Sequence, residues 1–456
     1  MVNNSKVIDL VVKKDLCIGC GICVFKCPNK ALEMHWNESG FLVPKQIGSC
    51  DCNGDCLKVC PFNPFPKEEV KTEDELAKIY LNEATHSHKK IGKYIDIYAG
   101  YANEFRLTSS SGGIATYVLT QLLEKGIVDH VFSTKNSTEP GVHYEYAISS
   151  NKKDLFAASK TRYFPVTLAT LMPEIHKLKG KVAIVGVACF IKAIRLAQHT
   201  EPKLKDKIPF LVGIICGGVK SRFFTEYLAS KVGVLKENIK NPQFRIKDFN
   251  SSAGDYSFGC TNKTDDTLKS IKMRTVGDMW GTGFFKSNAC DFCDDVTTEL
   301  ADISVGDAWL EPYVNEGKGT NVIATRSKIA DNIIKQGIKK GDITIETLPL
   351  ERFLASQQGS FNHRHNGLSV RIKKTKKNNI TVPPKRFGDE KVNIFFNIVQ
   401  KLRMRVRLKS LELWKTNPDA VIFDKRIKIY LKPIRIVTRL YHLRRDIINK
   451  LKKYKF

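Results

Sequence analysis

The 456-residue chain has no long hydrophobic run. Its longest apolar stretch, around Val182 to Ile191, falls well short of the ~18 residues that would span a bilayer. Met1 to Leu10 contains Lys6 and Asp9 and no sustained apolar segment, so it lacks the shape of a secretory leader. No period of roughly 20 to 50 residues suggests a solenoid, and no low-complexity tract precedes the C-terminal region. Acidic residues are scarce at that end: residues 371–456 hold 26 Lys/Arg against 6 Asp/Glu, most of the formal net charge of +27. These absences argue against a spanning, secreted or repeat protein. The expectation is a soluble, cytoplasmic chain of two or three compact units with a tail, its 13 cysteines kept as thiols.

The cysteines are what the sequence has in plenty. Cys17, Cys20, Cys23 and Cys27, followed by Pro28, reproduce the C-x2-C-x2-C-x3-C-P run of bacterial ferredoxins. In two-cluster ferredoxins the fourth cysteine of such a run ligates the other cluster, so a second motif is expected. Cys50, Cys52, Cys56 and Cys60 with Pro61 supply it, with the middle cysteine displaced and a flexible Asn53-Gly54 pair to absorb the shift. The pairing rule gives Cys17, Cys20, Cys23 and Cys60 to one [4Fe–4S] cluster and Cys50, Cys52, Cys56 and Cys27 to a second. The competing reading of the same spacing is a pair of zinc knuckles.

Residues 1–70 therefore read as a ferredoxin-like α+β module and 71–92 as a polar linker. Beyond them strand and helix signals alternate, the pattern of an α/β body with a mostly parallel or mixed sheet and flanking helices. Ile95 to Tyr101 and Ile127 to Phe132 read as strands around a helix over Ile114 to Lys125. Lys181 to Val187 and Phe210 to Ile215 read as apolar strands, followed by helices near Ile191 to Gln198 and Ser221 to Val232. Cys189 and Cys216 each fall just past the carboxyl end of one of these strands, where open parallel sheets collect ligands. Cys290-Asp291-Phe292-Cys293 adds a C-x2-C pair, so Cys189, Cys216, Cys290 and Cys293 form a candidate third cluster site. Alternatively, Cys189 and Cys216 are small buried hydrophobes. Cys260 reads as a packing residue.

Five segments in order carry a resemblance: Ser109-Ser110-Ser111-Gly112-Gly113-Ile114-Ala115-Thr116, Gly186 to Cys189, Cys216 to Ser221, Cys290 to Cys293, and Asp302 to Trp309. Together they resemble the coenzyme F420 hydrogenase/dehydrogenase beta-subunit family, with a fused ferredoxin module, over roughly residues 8 to 365. The resemblance divides the body into 93–175 and 176–365. It implies a bound FAD, a [4Fe–4S] cluster on the four cysteines above, and hydride exchange with coenzyme F420 or another organic acceptor. Reduced ferredoxin or a redox partner subunit is the implied electron donor. Surface-polysaccharide assembly is one implied setting. Ser109 to Gly113, Lys160, Arg162 and Tyr163 are the implied flavin contacts. A Ser/Gly turn opening a helix suits a pyrophosphate, although an ordinary helix cap has the same look. The sequence departs from the family pattern at Val187-Ala188-Cys189-Phe190 and Cys216-Gly217-Gly218, and it names no catalytic residue.

The basic region 366–456 reads as partly helical, with segments over Val392 to Leu408 and Ile427 to Tyr454. Docking on an anionic membrane surface, at the inner face of the membrane, or on an acidic protein is one expectation. The other is packing on the chain's own body. No motif supports nucleic-acid binding. Three functions compete: an FAD- and [4Fe–4S]-dependent oxidoreductase, a non-catalytic electron-transfer subunit, and a zinc-containing nucleic-acid binder.

Overall fold

A computed structural model describes residues 4–50 and 54–453, with side chains through Ile447, so Cys52 lies outside the described residues. Near the N-terminus, strands β1 (Leu32–Trp36) and β2 (Leu42–Gln46) form an antiparallel hairpin. Two four-residue helices, Ile22–Phe25 and Asp55–Lys58, each begin after a left-handed glycine, Gly21 (φ +79°) and Gly54 (φ +85°). A side chain at Gly21 would drive a Cβ to 2.2 Å from Thr167 Oγ1, so glycine is needed there for space as well as for backbone freedom. The segment read as a linker contains a helix, Glu73–Tyr80, started by a Thr72/Glu75 capping box. Glu73 is buried in an ion pair with Lys192 at 3.0 Å, which ties this helix to the body.

The body is one eight-stranded mixed sheet. Its strands are β3 (Ile97–Ala102), β4 (His130–Asn136), β5 (Tyr144–Ser149), β6 (Val182–Val187), β7 (Phe210–Ile214), β8 (Ile303–Asp307), β9 (Asn321–Thr325) and β10 (Ile343–Thr347). They lie in the order β10-β3-β9-β8-β7-β6-β4-β5. The central β4, β6, β7 and β8 run parallel, and antiparallel strands close both sides. Helices cover both faces of this centre, which explains why β6 reads Val-Ala-Ile-Val-Gly-Val without alternation. Ile184, Leu211, Val212 and Ile303 are fully buried there. A separate three-stranded sheet (Ile239–Ile246, Ser257–Asn262, Leu268–Lys272) packs nearby, with Phe258 and Cys260 in its core.

The helix expected after β3 is α1 (Ile114–Glu124), and α2 (Ala188–Thr200) starts directly at the end of β6. In the C-terminal region come α3 (Leu368–Lys377), α4 (Ile394–Thr416) and α5 (Ala420–Lys453). This region packs on the body despite its charge. Trp414, Phe423 and Ile427 are buried with Tyr227 and Phe285, while Arg386 reaches Glu299 through two contacts of 2.6 and 2.8 Å. Among the described residues no helix is long and apolar enough to cross a membrane.

Candidate metal centre and anion-binding loop

Parallel pairing sets the first feature of the site. Val187 stands opposite Ile214 in the β6–β7 ladder, so both chain segments leave the sheet at the same edge and carry Cys189 and Cys216 with them. Cys290 and Cys293 arrive on the turn Ala289–Phe292. Burial pushes the Cys189 thiol well above its ordinary value, and Cys293, Cys290 and Cys216 push it further in the same direction. The four cysteines expected to act together are thus brought within electrostatic reach of one another. Cys20 also acts on Cys189, so the ferredoxin-like module places its first motif beside this group. Tyr146 is subject to both Cys189 and Cys20, and its hydroxyl donates to Val185 O at 2.9 Å.

In the N-terminal module, Cys60 sits among the thiols of the first motif. Burial drives Cys23 and Cys60 up strongly, with Cys20 and Cys17 among the charges acting on each. Burial likewise raises Cys17 to about 12 and Cys20 to about 11. Cys27, Cys50 and Cys56 are also buried; the fourth member of their expected set, Cys52, is not described. Several sulfurs already accept hydrogen bonds: Gly19 N–H to Cys17 (3.4 Å), Ala31 N–H to Cys27 (3.3 Å), Gly218 N–H to Cys216 (3.2 Å) and Val219 N–H to Cys290 (3.2 Å). Backbone donors aimed at sulfur stabilise a thiolate, and a bound iron deprotonates a thiol outright. Buried thiols crowded in fours with such donors fit iron–sulfur ligation. Among the described residues no three His, Cys, Asp or Glu side chains converge as ligands of a single metal ion; in a cluster each sulfur binds a different iron.

Sequence reasoning missed the residues that brace the second group. Arg364 donates to Cys293 Sγ at 3.4 Å and to Asp295 O at 2.5 Å, and also clamps Cys216 O. It projects from a π-helical turn, Asn362–Asn366, an irregularity that often marks functional positions. The run His363-Arg364-His365 was the only signal. Asp291, between two of the cysteines, pairs with Lys286 at 2.6 Å and with Arg407 at 3.0 Å. Burial pushes its carboxyl up, but Lys286, Arg407 and Arg371 outweigh that and hold it well below the usual range.

The Ser109–Gly113 turn lies at the N-terminus of α1, with Gly113 as its left-handed cap. A Cβ on Gly112 would fall 2.7 Å from Gly100 O and 2.8 Å from Asn321 Oδ1, so the loop lies flat on the sheet. The Ile114 N–H is already bonded to Asn321 Oδ1 at 3.2 Å. Positive charge at this loop therefore comes mainly from side chains. Lys247 donates to Ser111 O at 2.7 Å and to Arg106 O at 2.5 Å. Burial, then Arg245, Lys160 and Arg106, lower Lys247 to about 7, against a small opposing effect of Asp307. Arg245 pairs with Asp307 at 2.6 Å, which gives that aspartate an orienting role. Arg162 stacks 4.8 Å over the Tyr144 ring, and Thr161 N–H donates to Ser110 Oγ at 2.8 Å. Tyr163 is half-buried with its ring 4.8 Å from that of Trp280, within reach of both Arg245 and Cys216. Among the described residues Ser109 Oγ, Arg162 Nε and Arg245 Nε are buried without a hydrogen-bond partner. Excess cations with unsatisfied donors fit a pyrophosphate group.

The family model for the C-terminal part of the coenzyme F420 hydrogenase/dehydrogenase beta subunit matches residues 179–351, and the model for its N-terminal part matches 97–172. The chain belongs to this beta-subunit family. A 4Fe-4S binding domain model matches residues 10–33, the stretch holding Cys17 to Cys27. Within the family's wider circle, the Coenzyme F420-dependent sulfite reductase of Methanocaldococcus jannaschii is 24% identical over 365 residues, which cover 75% of this chain and 50% of that protein. The chain thus spans about half the length of that relative. A subunit of the F(420)H(2) dehydrogenase of Methanosarcina mazei is 24% identical over 321 residues, 67% of this chain and 80% of that one. The fold matches a chain of the F420-reducing [NiFe] hydrogenase complex of Methanosarcina barkeri, with a TM-score of 0.50 at 19% identity, over 66% of this chain and 99% of that chain.

Proposed function

We propose that this beta-subunit family member is an iron–sulfur flavoprotein oxidoreductase that exchanges electrons with ferredoxin or a partner subunit and hydride with coenzyme F420 or a related organic acceptor. The observation carrying this reading is the convergence of Cys189, Cys216, Cys290 and Cys293 beside Cys20. Cys17, Cys20, Cys23 and Cys60 would hold one [4Fe–4S] cluster, Cys27, Cys50, Cys52 and Cys56 a second, and the convergent four a third. Ser109 to Gly113, with Arg162, Arg245 and Lys247, would hold the FAD phosphates. Clusters supply one-electron transfer, and a flavin supplies the conversion to two-electron hydride chemistry. Tyr146 feels both Cys189 and Cys20, and Tyr163 feels both Cys216 and Arg245, which supports a path with the third site in the middle. The sulfur-directed N–H groups of Gly218 and Val219 and the Arg364 guanidinium would offset the negative charge there.

Anaerobic purification should yield a brown protein with ~12 irons per chain, acid-labile sulfide and releasable FAD, which reduces coenzyme F420 when given reduced ferredoxin. Zinc without iron would defeat the proposal. Relatives that are parts of larger complexes favour a second reading, in which turnover needs a partner; an isolated chain that is fully loaded yet inactive would select it.

The loop carries its own pH prediction. The Lys247 amine titrates at about 7 without a bound anion, and a phosphate beside it would raise that value. Binding is then proton-linked: FAD affinity should be full below about pH 7 and decline as pH rises above it. Flavin fluorescence on titration of the apoprotein measures this. A flat profile from pH 6 to 9 would remove Lys247 from the phosphate site.

A further inference from the structure

The long C-terminal helix α5 has two unlike faces. On one, Ala420, Phe423, Ile427 and Ile434 are buried against the body. On the other, Ile422, Ile429, Ile436, Leu440, Leu443 and Ile447 are 39–73% exposed. At 3.6 residues per turn these six fall within about 60° of arc, a continuous stripe of aliphatic side chains facing solvent. Cations line both borders. Lys425, Lys428, Lys432, Arg435 and Arg439 stand on one side, and Arg426 and Arg444 on the other, all exposed. The nearby acids are engaged: Asp424 pairs with Lys231 at 2.7 Å and accepts from the Tyr227 hydroxyl, and Asp446 pairs with Arg445 at 3.4 Å.

We propose that this stripe lies on an anionic lipid surface, with Ile429, Ile436 and Leu443 seated among the acyl chains and the flanking Lys and Arg reaching back to the headgroups. Amphipathic helices with a narrow apolar stripe and basic borders bind in the plane of such interfaces. The charge pattern selects this occupant over a second copy of the chain. Two such helices packed stripe to stripe would bring like charges together along both borders. A nucleic acid would want cations at the centre of the contact, where this helix has isoleucine and leucine. The buried opposite face keeps the helix attached to the body while the stripe engages, so the inference does not depend on the cofactor assignment.

Sedimentation of the full chain with phosphatidylcholine vesicles, with and without phosphatidylglycerol, tests the proposal. At least tenfold more protein is expected to sediment with the anionic vesicles, and the excess should fall as salt is raised. The double variant I429D/I436D alters only exposed positions and should keep the circular-dichroism spectrum and iron content while losing vesicle binding. The variant K428Q/K432Q/R435Q should bind with reduced dependence on phosphatidylglycerol. Equal sedimentation with both vesicle types, or unchanged sedimentation of I429D/I436D, would overturn the proposal. So would a concentration-dependent dimer abolished by I429D/I436D in the absence of vesicle binding.

Discussion

Cys189→Ala protein prepared without oxygen is expected to keep its FAD and the iron bound near the N-terminus, to lose about a third of its total iron, and to show no flavin reduction when reduced ferredoxin is supplied. The position explains the severity. Cys189 lies in the first turn of α2 immediately beyond β6, and Cys20 acts on it along with the other three thiols. On the proposed assignment its removal takes away a ligand of the third cluster and the thiol that feels the ferredoxin-like module. Cys293→Ala should act alike, because Arg364 would then lose its sulfur partner while still clamping Cys216 O. Cys260→Ala is the control. That thiol is buried with Phe258 and Phe244, away from the convergent group, so its loss should leave iron and electron transfer intact. Normal flavin reduction in Cys189→Ala would end the proposed wire. Retention of all the iron would instead end the assignment of Cys189 as a ligand.

Much of this site was legible because it obeys local rules. Alternation of apolar strands and helices placed Cys189 and Cys216 at the carboxyl ends of β6 and β7, and parallel pairing of Val187 with Ile214 then makes them neighbours. Ferredoxin spacing grouped Cys60 with Cys17, Cys20 and Cys23, a long-range pairing that composition alone would not suggest. The supports were illegible for a physical reason: each joins residues far apart in the chain. Arg364 meets Cys293 across 71 positions, and Arg407 meets Asp291 across 116. No periodicity records such contacts. The basic C-terminal region shows the same limit from another side. Its charge left docking on an external surface and packing on the chain's own body both open, and the contacts of Arg371, fully buried and donating to Asp291 O at 2.6 Å, show the second. Asp291 in the C-x2-C turn is the buried counter-charge for Lys286, Arg371 and Arg407, and no local pattern records it. The cations bordering the aliphatic stripe of α5, like Lys373, Lys374, Lys376 and Lys377 of α3, still face outward.

That counter-charge makes Asp291 the position where a single substitution should destabilise the chain most. Lys286, Arg371 and Arg407 are all buried around it, and Asp291 itself is 2% exposed. Removing one partner of a buried ionic network leaves the others desolvated without compensation, at a cost of about 3–5 kcal/mol. Asp291→Ala should therefore lower the denaturant midpoint markedly and release α3 and α4 from the cysteine turn, with loss of iron from Cys290 and Cys293. Asp291→Asn separates charge from shape. It keeps the side-chain volume but replaces one of the two accepting oxygens with an NH2 donor, so a loss close to that of alanine would identify the carboxylate's charge and acceptors as the cause, whereas near-native stability would refute the network. Lys286→Met in the Asp291→Asn background provides the second check. The lysine is harmful there as an unpaired buried cation, so its removal should recover part of the lost stability, and two additive losses would contradict the coupling. The expected recovery follows from the contacts: Lys286 spends its ammonium on Asp291 at 2.6 Å and on His363 Nε2 at 2.9 Å, and a neutral imidazole alone compensates a buried charge poorly.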